Sequence, residues 1–207
     1  MNIIVFGANG GIGHHVVEQA LAAGHNVTAV VRRPSSITTK HERLTIVQGD
    51  VLQAETLKEP MAGQEAVISA LGSVSRAPTV VYSQGIANIM QAMQQAHVKR
   101  LVCISASGLD PSRLWMRLIA KPILWTLFKS SYSDLVRMER EVKGSNVDWT
   151  IVRPPRLSDG PHTGQYEFAV NKHHPRGFII SRADVADYLI AQLTNPTTYC
   201  GIVEVAY

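Results

Sequence analysis

Three glycines at fixed spacing, Gly7, Gly10 and Gly13, follow directly on the apolar run Asn2-Ile-Ile-Val-Phe6 and open a stretch with helical periodicity. This G-x-x-G-x-x-G arrangement constrains the fold more than any other feature. It reads as a strand, a tight turn and a helix N-terminus, the geometry that cradles the pyrophosphate of a dinucleotide. Gly7 permits the sharp turn, Gly10 brings the backbone close to the phosphates, and Gly13 lets the helix pack against the strand. Asn9, Gly11 and Ile12 complete the phosphate-facing set. The spacing differs from the G-x-G-x-x-G of two-domain dehydrogenases.

The rest of the chain alternates strand-like and helix-like segments. Strands are expected at Asn2–Phe6, Asn26–Val31, Leu44–Gln48, Ala66–Ala70, Arg100–Ser105, Asp148–Val152 and Ile202–Ala206. Helices are expected after Ile12 (closed by Gly24), near Ala54–Leu57, from about Thr79 to His97, near Asp134–Lys143, and from a Ser181 cap to about Thr194. The strands are continuously apolar rather than alternating, which implies a parallel sheet buried on both faces. With right-handed crossovers this gives an α/β, Rossmann-like, doubly wound sheet in one domain spanning 1–207. Substrate-side segments are expected at about 108–133 and 154–180.

Composition narrows the function. The 207 residues are 45% hydrophobic and 17% charged, with a net charge of +4. That balance suits an anionic ligand, but there is no dense basic stripe with interleaved aromatics of the kind that binds nucleic acid. No run is long enough for a transmembrane segment, and no secretory leader is evident, so a cytoplasmic location is expected. Cys103 and Cys200 lie in apolar runs and read as buried free thiols in a reducing compartment.

The second strand ends Val31-Arg32-Arg33, with two guanidiniums and no carboxylate, which favours a 2′-phosphate and hence NADP(H) over NAD(H). Asp50 and Val51 follow the third strand and are candidates for the adenine; Ala70, Leu71 and Gly72 follow the fourth and face sugar and phosphate. Pro154 follows the sixth. The eight histidines have no spacing typical of a closed metal site, so no metal is expected; His14 and His15, adjacent on a helix, are expected to point apart. Glu139 and Arg140 read as a solvated helix face. Arg113, Arg117 and Lys121, set among Trp115, Trp125 and other apolar residues, form a basic apolar segment. It reads as a lid or pocket wall, a dimer or partner interface, or a peripheral membrane contact. Pro122 is expected to divide it into two helices.

Gly7-x-x-Gly10-x-x-Gly13, Val31-Arg32, Gly49-Asp-Val-Leu-Gln-Ala54, Ala62-Gly-Gln-Glu-Ala-Val67, Val136-Arg-Met138 and Pro154-Pro155 together resemble the biliverdin IXβ reductase/flavin reductase group. That group belongs to the atypical short-chain dehydrogenases, near the NmrA-like NADP-binding proteins. The resemblance implies NADPH-dependent reduction of a planar acceptor such as a flavin, quinone or tetrapyrrole. It also implies that Ser105 is a serine beside the nicotinamide and substrate. Arg156 stands where the family has a histidine; it cannot act as a general acid, but it can bind an anion. The Tyr-x-x-x-Lys pair of ordinary short-chain dehydrogenases is missing, with Tyr132 as the stand-in acid. An NmrA-like redox sensor that binds NADP(H) without turnover is the alternative, and sugar-nucleotide epimerisation or dehydration a third.

Overall fold

A computed structural model describes residues 1–72, 77–107, 121–173 and 177–207, and the side chains of 121–129 lie outside that description. Eight strands form one sheet: β1 (Asn2–Phe6), β2 (Asn26–Val31), β3 (Leu44–Gln48), β4 (Ala66–Ser69), β5 (Arg100–Ile104), β6 (Asp148–Arg153), β8 (Glu167–Val170) and β10 (Gly201–Ala206). Their order is β3-β2-β1-β4-β5-β6-β10-β8. All pairings are parallel except the outermost, where β8 runs antiparallel to β10. A short ribbon of β7 (Arg156–Ser158) and β9 (Ile179–Ser181) stands apart from the sheet.

The strands are apolar on both faces because each face carries helices. Ile3 and Val5 of β1 pack with α1 (Gly13–Ala22) and α5 (Arg182–Ala191), while Ile4 and Phe6 pack with α2 (Glu55–Met61), α3 (Ser83–Gln95) and α4 (Lys121–Lys143). The pleat sends alternate side chains to opposite sides, so a continuous hydrophobic strand feeds two cores. This is the doubly wound sheet expected from the sequence. The site-bearing turns all lie at the carboxyl ends of the parallel strands, and the strand order reverses between β1 and β4, the usual ligand crevice.

Several local expectations change. The thirteen-residue helix α3 begins at Ser83 rather than Thr79. α4 runs through the described residues from Lys121 to Lys143, and the expected division at Pro122 turns on residues before 121, which lie outside the described residues. The Arg113 and Arg117 stripe and Trp115 fall outside the described residues. Cys103 is buried as expected, but Cys200 is exposed, at a turn with φ 51°. β7, β8 and β9 were not legible, being three or four residues long with mixed polarity.

Candidate dinucleotide site

The turn after β1 is built by backbone contact. Gly7 has φ +77°, and a Cβ there would run into the carbonyl oxygen of Ala70 at the end of β4. A Cβ on Gly13 would collide with Gly7 O in the same way. Gly10 N donates to Gly7 O at 2.8 Å and His14 N to Gly10 O at 3.1 Å. Gly11 and Ile12 thus bring their N–H groups to the start of α1, where helix geometry supplies no acceptor for them. That is a cradle for a phosphate, and its shape depends on residues 7, 10 and 13 as the spacing indicated. His14 and His15 do not diverge: their rings lie 3.8 Å apart, centroid to centroid. Burial and the neighbouring His14 ring lower the pKa of His15.

Around this cradle the other strand ends supply different groups. Arg32 and Arg33 are exposed, and among the described residues no carboxylate lies within ion-pair distance of either. Asp50 accepts from Leu52 N at 3.0 Å, holding its loop in an Asx turn. Val51 and Leu71 pack against Gly85 of α3, and Asn88 Nδ2 donates to Val51 O at 2.8 Å. This contact joins the turns after β3 and β4 into one wall. Ser73, which follows Gly72 in the turn after β4, lies outside the described residues.

Ser105 follows β5 and is 5% exposed. Its N–H donates to Val152 O at 2.8 Å, which fixes the residue against the end of β6. Its Oγ donates to Glu139 Oε1 at 2.7 Å. Glu139 is 4% exposed rather than solvated. It also accepts from Arg153 Nε at 2.8 Å, Arg153 Nη2 at 2.6 Å and Lys143 Nζ at 2.9 Å. Burial alone would raise the pKa of this carboxyl, but the Arg153, Lys143 and Ser105 hydrogen bonds outweigh it and hold Glu139 below the usual carboxylate range. The group is therefore ionised, and the single proton of Ser105 points at it. With its proton engaged in this way, the Ser105 oxygen can only accept further hydrogen bonds.

Pro154 is buried and its carbonyl accepts from Ser107 N at 3.1 Å. Arg156 opens β7 with an exposed side chain, and its N–H donates to Phe178 O at 3.2 Å. Tyr132 lies half-buried on α4, and burial raises the pKa of its phenol, the opposite of what an activated acid needs. Asp134, wholly buried on the same helix, accepts from Tyr82 N at 2.9 Å and from the Ser83 hydroxyl, capping α3 from a neighbouring element. Among the described residues no cluster of His, Cys, Asp and Glu is arranged to hold a metal, and no helix is long and apolar enough to cross a membrane.

The cradle, the paired arginines and the strand-end wall fit a dinucleotide, and comparison with known proteins agrees. A model of the NAD(P)H-binding family matches residues 7–196. The chain belongs to that family. It is 27% identical over 212 residues to an uncharacterised chloroplastic protein of Arabidopsis thaliana, covering 98% of this chain and 75% of the relative. A short-chain dehydrogenase/reductase of Veillonella parvula, solved with NADP, superposes with a TM-score of 0.81 at 20% identity, over 100% of this chain and 94% of that one. ChuY, an anaerobillin reductase of Escherichia coli O157:H7, superposes with a TM-score of 0.80 at 22% identity, over 100% and 97%. The family match makes this an NAD(P)H-binding protein, and the superpositions give it a Rossmann-type fold.

Proposed function

We propose that the protein is an NADPH-dependent reductase of flat, conjugated acceptors of the flavin, quinone or tetrapyrrole type. NADPH, when bound, supplies a hydride. The chain's own residues bind and orient. Asn9, Gly10, Gly11, Ile12 and the α1 N-terminus receive the diphosphate. Arg32 and Arg33 receive the 2′-phosphate, which an acidic residue there would repel. Asp50 and Val51 take the adenine, and Ala70, Leu71 and Gly72 the sugar and phosphate. Ser105 accepts a hydrogen bond from the carboxamide or the acceptor ring, with Pro154 beside it. Arg156 anchors an anionic acceptor and remains charged throughout.

The observation that carries this reading is the 2.7 Å hydrogen bond from Ser105 Oγ to the ionised Glu139, which takes up the only proton of that hydroxyl. With the Tyr132 phenol pushed up in pKa by burial and Arg156 unable to give up a proton, none of the proposed catalytic residues is poised as an acid. A carbonyl being reduced to an alcohol needs such an acid, whereas a conjugated ring spreads the incoming charge and takes its proton from water. The shared fold with ChuY, an anaerobillin reductase, supports an acceptor of this kind. Two free cysteines support a reducing, cytoplasmic setting.

The test is to mix purified protein with NADPH and a panel of flavins, quinones and tetrapyrroles, following loss of nicotinamide absorbance. Turnover with at least one planar acceptor and none with simple ketones is the expected result. Tight NADPH binding with no turnover on any acceptor replaces this reading with that of a non-catalytic redox sensor.

A further inference from the structure

We infer that Arg182, carried on α5 and remote in sequence from the glycine turn, is the cation that holds the cofactor diphosphate. The inference rests on the cofactor reading above and goes beyond it. A Cβ built on Gly11 would lie 2.8 Å from Arg182 Nε and 2.9 Å from its Cδ. The guanidinium stem therefore occupies the space that any side chain at position 11 would fill, against the turn that presents the Gly11 and Ile12 N–H groups. Two elements set this up. α5 packs along α1, where Gln19 Nε2 donates to Ala183 O at 3.0 Å. Arg182 is the first residue of α5, capped by Ser181, and its side chain reaches to the glycine turn before α1.

Charge gives the contact its meaning. A diphosphate brings two negative charges, while a helix N-terminus offers roughly half a positive one. Residues 7–13 contain no lysine or arginine. Arg182 pairs with Asp159, but that carboxylate is 90% exposed and water-screened, so the cation is not neutralised as it would be in a buried pair. Arginine's planar fork suits phosphate oxygens and tolerates partial burial, and this side chain is 29% exposed.

The experiment measures dissociation constants for NADPH, NADH and adenosine 2′-monophosphate by calorimetry, in wild type, Arg182→Ala and Arg182→Lys. Arg182→Ala should weaken NADPH and NADH by the same factor, about tenfold, the loss of one charge-assisted contact. Arg182→Lys should fall between the two, and adenosine 2′-monophosphate, which lacks the diphosphate, should bind all three proteins alike. NADPH affinity within twofold of wild type in both variants overturns the inference. So does a parallel loss of adenosine 2′-monophosphate binding, which marks a structural role in holding the Asp159 loop. Failure of wild type to bind NADPH at all counts against the cofactor reading instead.

Discussion

The hydroxyl of Ser105 has one proton, and what it can do at the site follows from where that proton goes. Glu139 takes it because Arg153 and Lys143 keep the carboxylate ionised. Ser105→Ala removes the hydroxyl that the proposed function uses as an acceptor. It should slow hydride transfer at saturating NADPH and cost about 1–2 kcal/mol of stability; an unchanged single-turnover rate removes Ser105 from the machinery. Glu139→Gln, by contrast, leaves the buried Arg153 guanidinium without its counter-charge and should cost about 3–5 kcal/mol, read as a lowered denaturation midpoint. Ser105 was found by resemblance, whereas Glu139 was misread as solvated. The pattern did hold a clue: Glu139 stands four residues after Leu135 and three before Val142, on the same face as the buried Met138. A carboxylate inside an apolar stripe calls for partners: helical spacing reports Lys143, four residues on, but not Arg153 of β6 or Ser105 after β5. The proposed role of Arg32 rests on its place just after the second strand. Arg32→Asp should weaken NADPH about 10- to 100-fold and NADH far less, and equal losses would refute the 2′-phosphate role.

Among the elements, α5 shows how far a local signal reaches. The Ser181 cap with an acid three residues on was visible in the sequence, and Ser181 Oγ does accept from Asp184 N at 3.0 Å. The acid does not complete the usual reciprocal bond. Asp184 accepts instead from Thr163 N at 2.7 Å, Thr163 Oγ1 at 2.7 Å, Gly164 N at 2.9 Å and Tyr207 Oη at 2.5 Å. The Tyr207 oxygen in turn accepts from Ser181 N at 3.2 Å, so a tyrosine hydroxyl bridges the two ends of the box. One carboxylate thus ties the helix start to the 160–165 loop and the last residue of the chain. Burial would raise its pKa, but the Tyr207, Thr163 and Gly164 donors prevail and hold it at about 2, against 3.8 for an ordinary aspartate. A folded-state pKa below the unfolded one stabilises the protein fully above the unfolded value. That contribution is lost as pH falls from about 4 to about 2. Asp184→Asn should remove this part of the acid dependence and lower the melting temperature at neutral pH, measured by thermal scans across that window. An acid profile identical to wild type would show that Asp184 is not the group responsible.

On the scale of the whole molecule, the parallel sheet separates two kinds of residue. Turns at the carboxyl ends of the strands carry the dinucleotide site, while the opposite ends carry residues that hold the layers together. The layer architecture was legible because continuous apolar strands alternating with helices leave few other folds. The antiparallel edge strand β8 was not, since Glu167–Val170 gains its strand geometry from β10 rather than from its own pattern. Arg100 tests the division. It opens β5 at the far end of the sheet and is 5% exposed. Its guanidinium donates to Asp148 O at 2.7 Å, Thr150 Oγ1 at 2.8 Å and Gln192 O at 2.6 Å, and it lies 4.3 Å from the centre of the Tyr199 ring. It joins β5, β6 and the segment after α5 through acceptors that are themselves neutral, and burial lowers its pKa. Arg100→Ala strips those acceptors of their donor and leaves a cavity, a loss of about 3 kcal/mol, or roughly 6–12 °C in melting temperature for a chain of this length. Because the site lies at the other end of the strands, NADPH affinity below the transition should stay within twofold of wild type. Arg32→Asp should do the reverse, changing affinity and leaving the melting temperature of the free protein where it was. If Arg100→Ala shifts the NADPH dissociation constant as strongly as it shifts the melting temperature, the two ends of the sheet are coupled and the division fails.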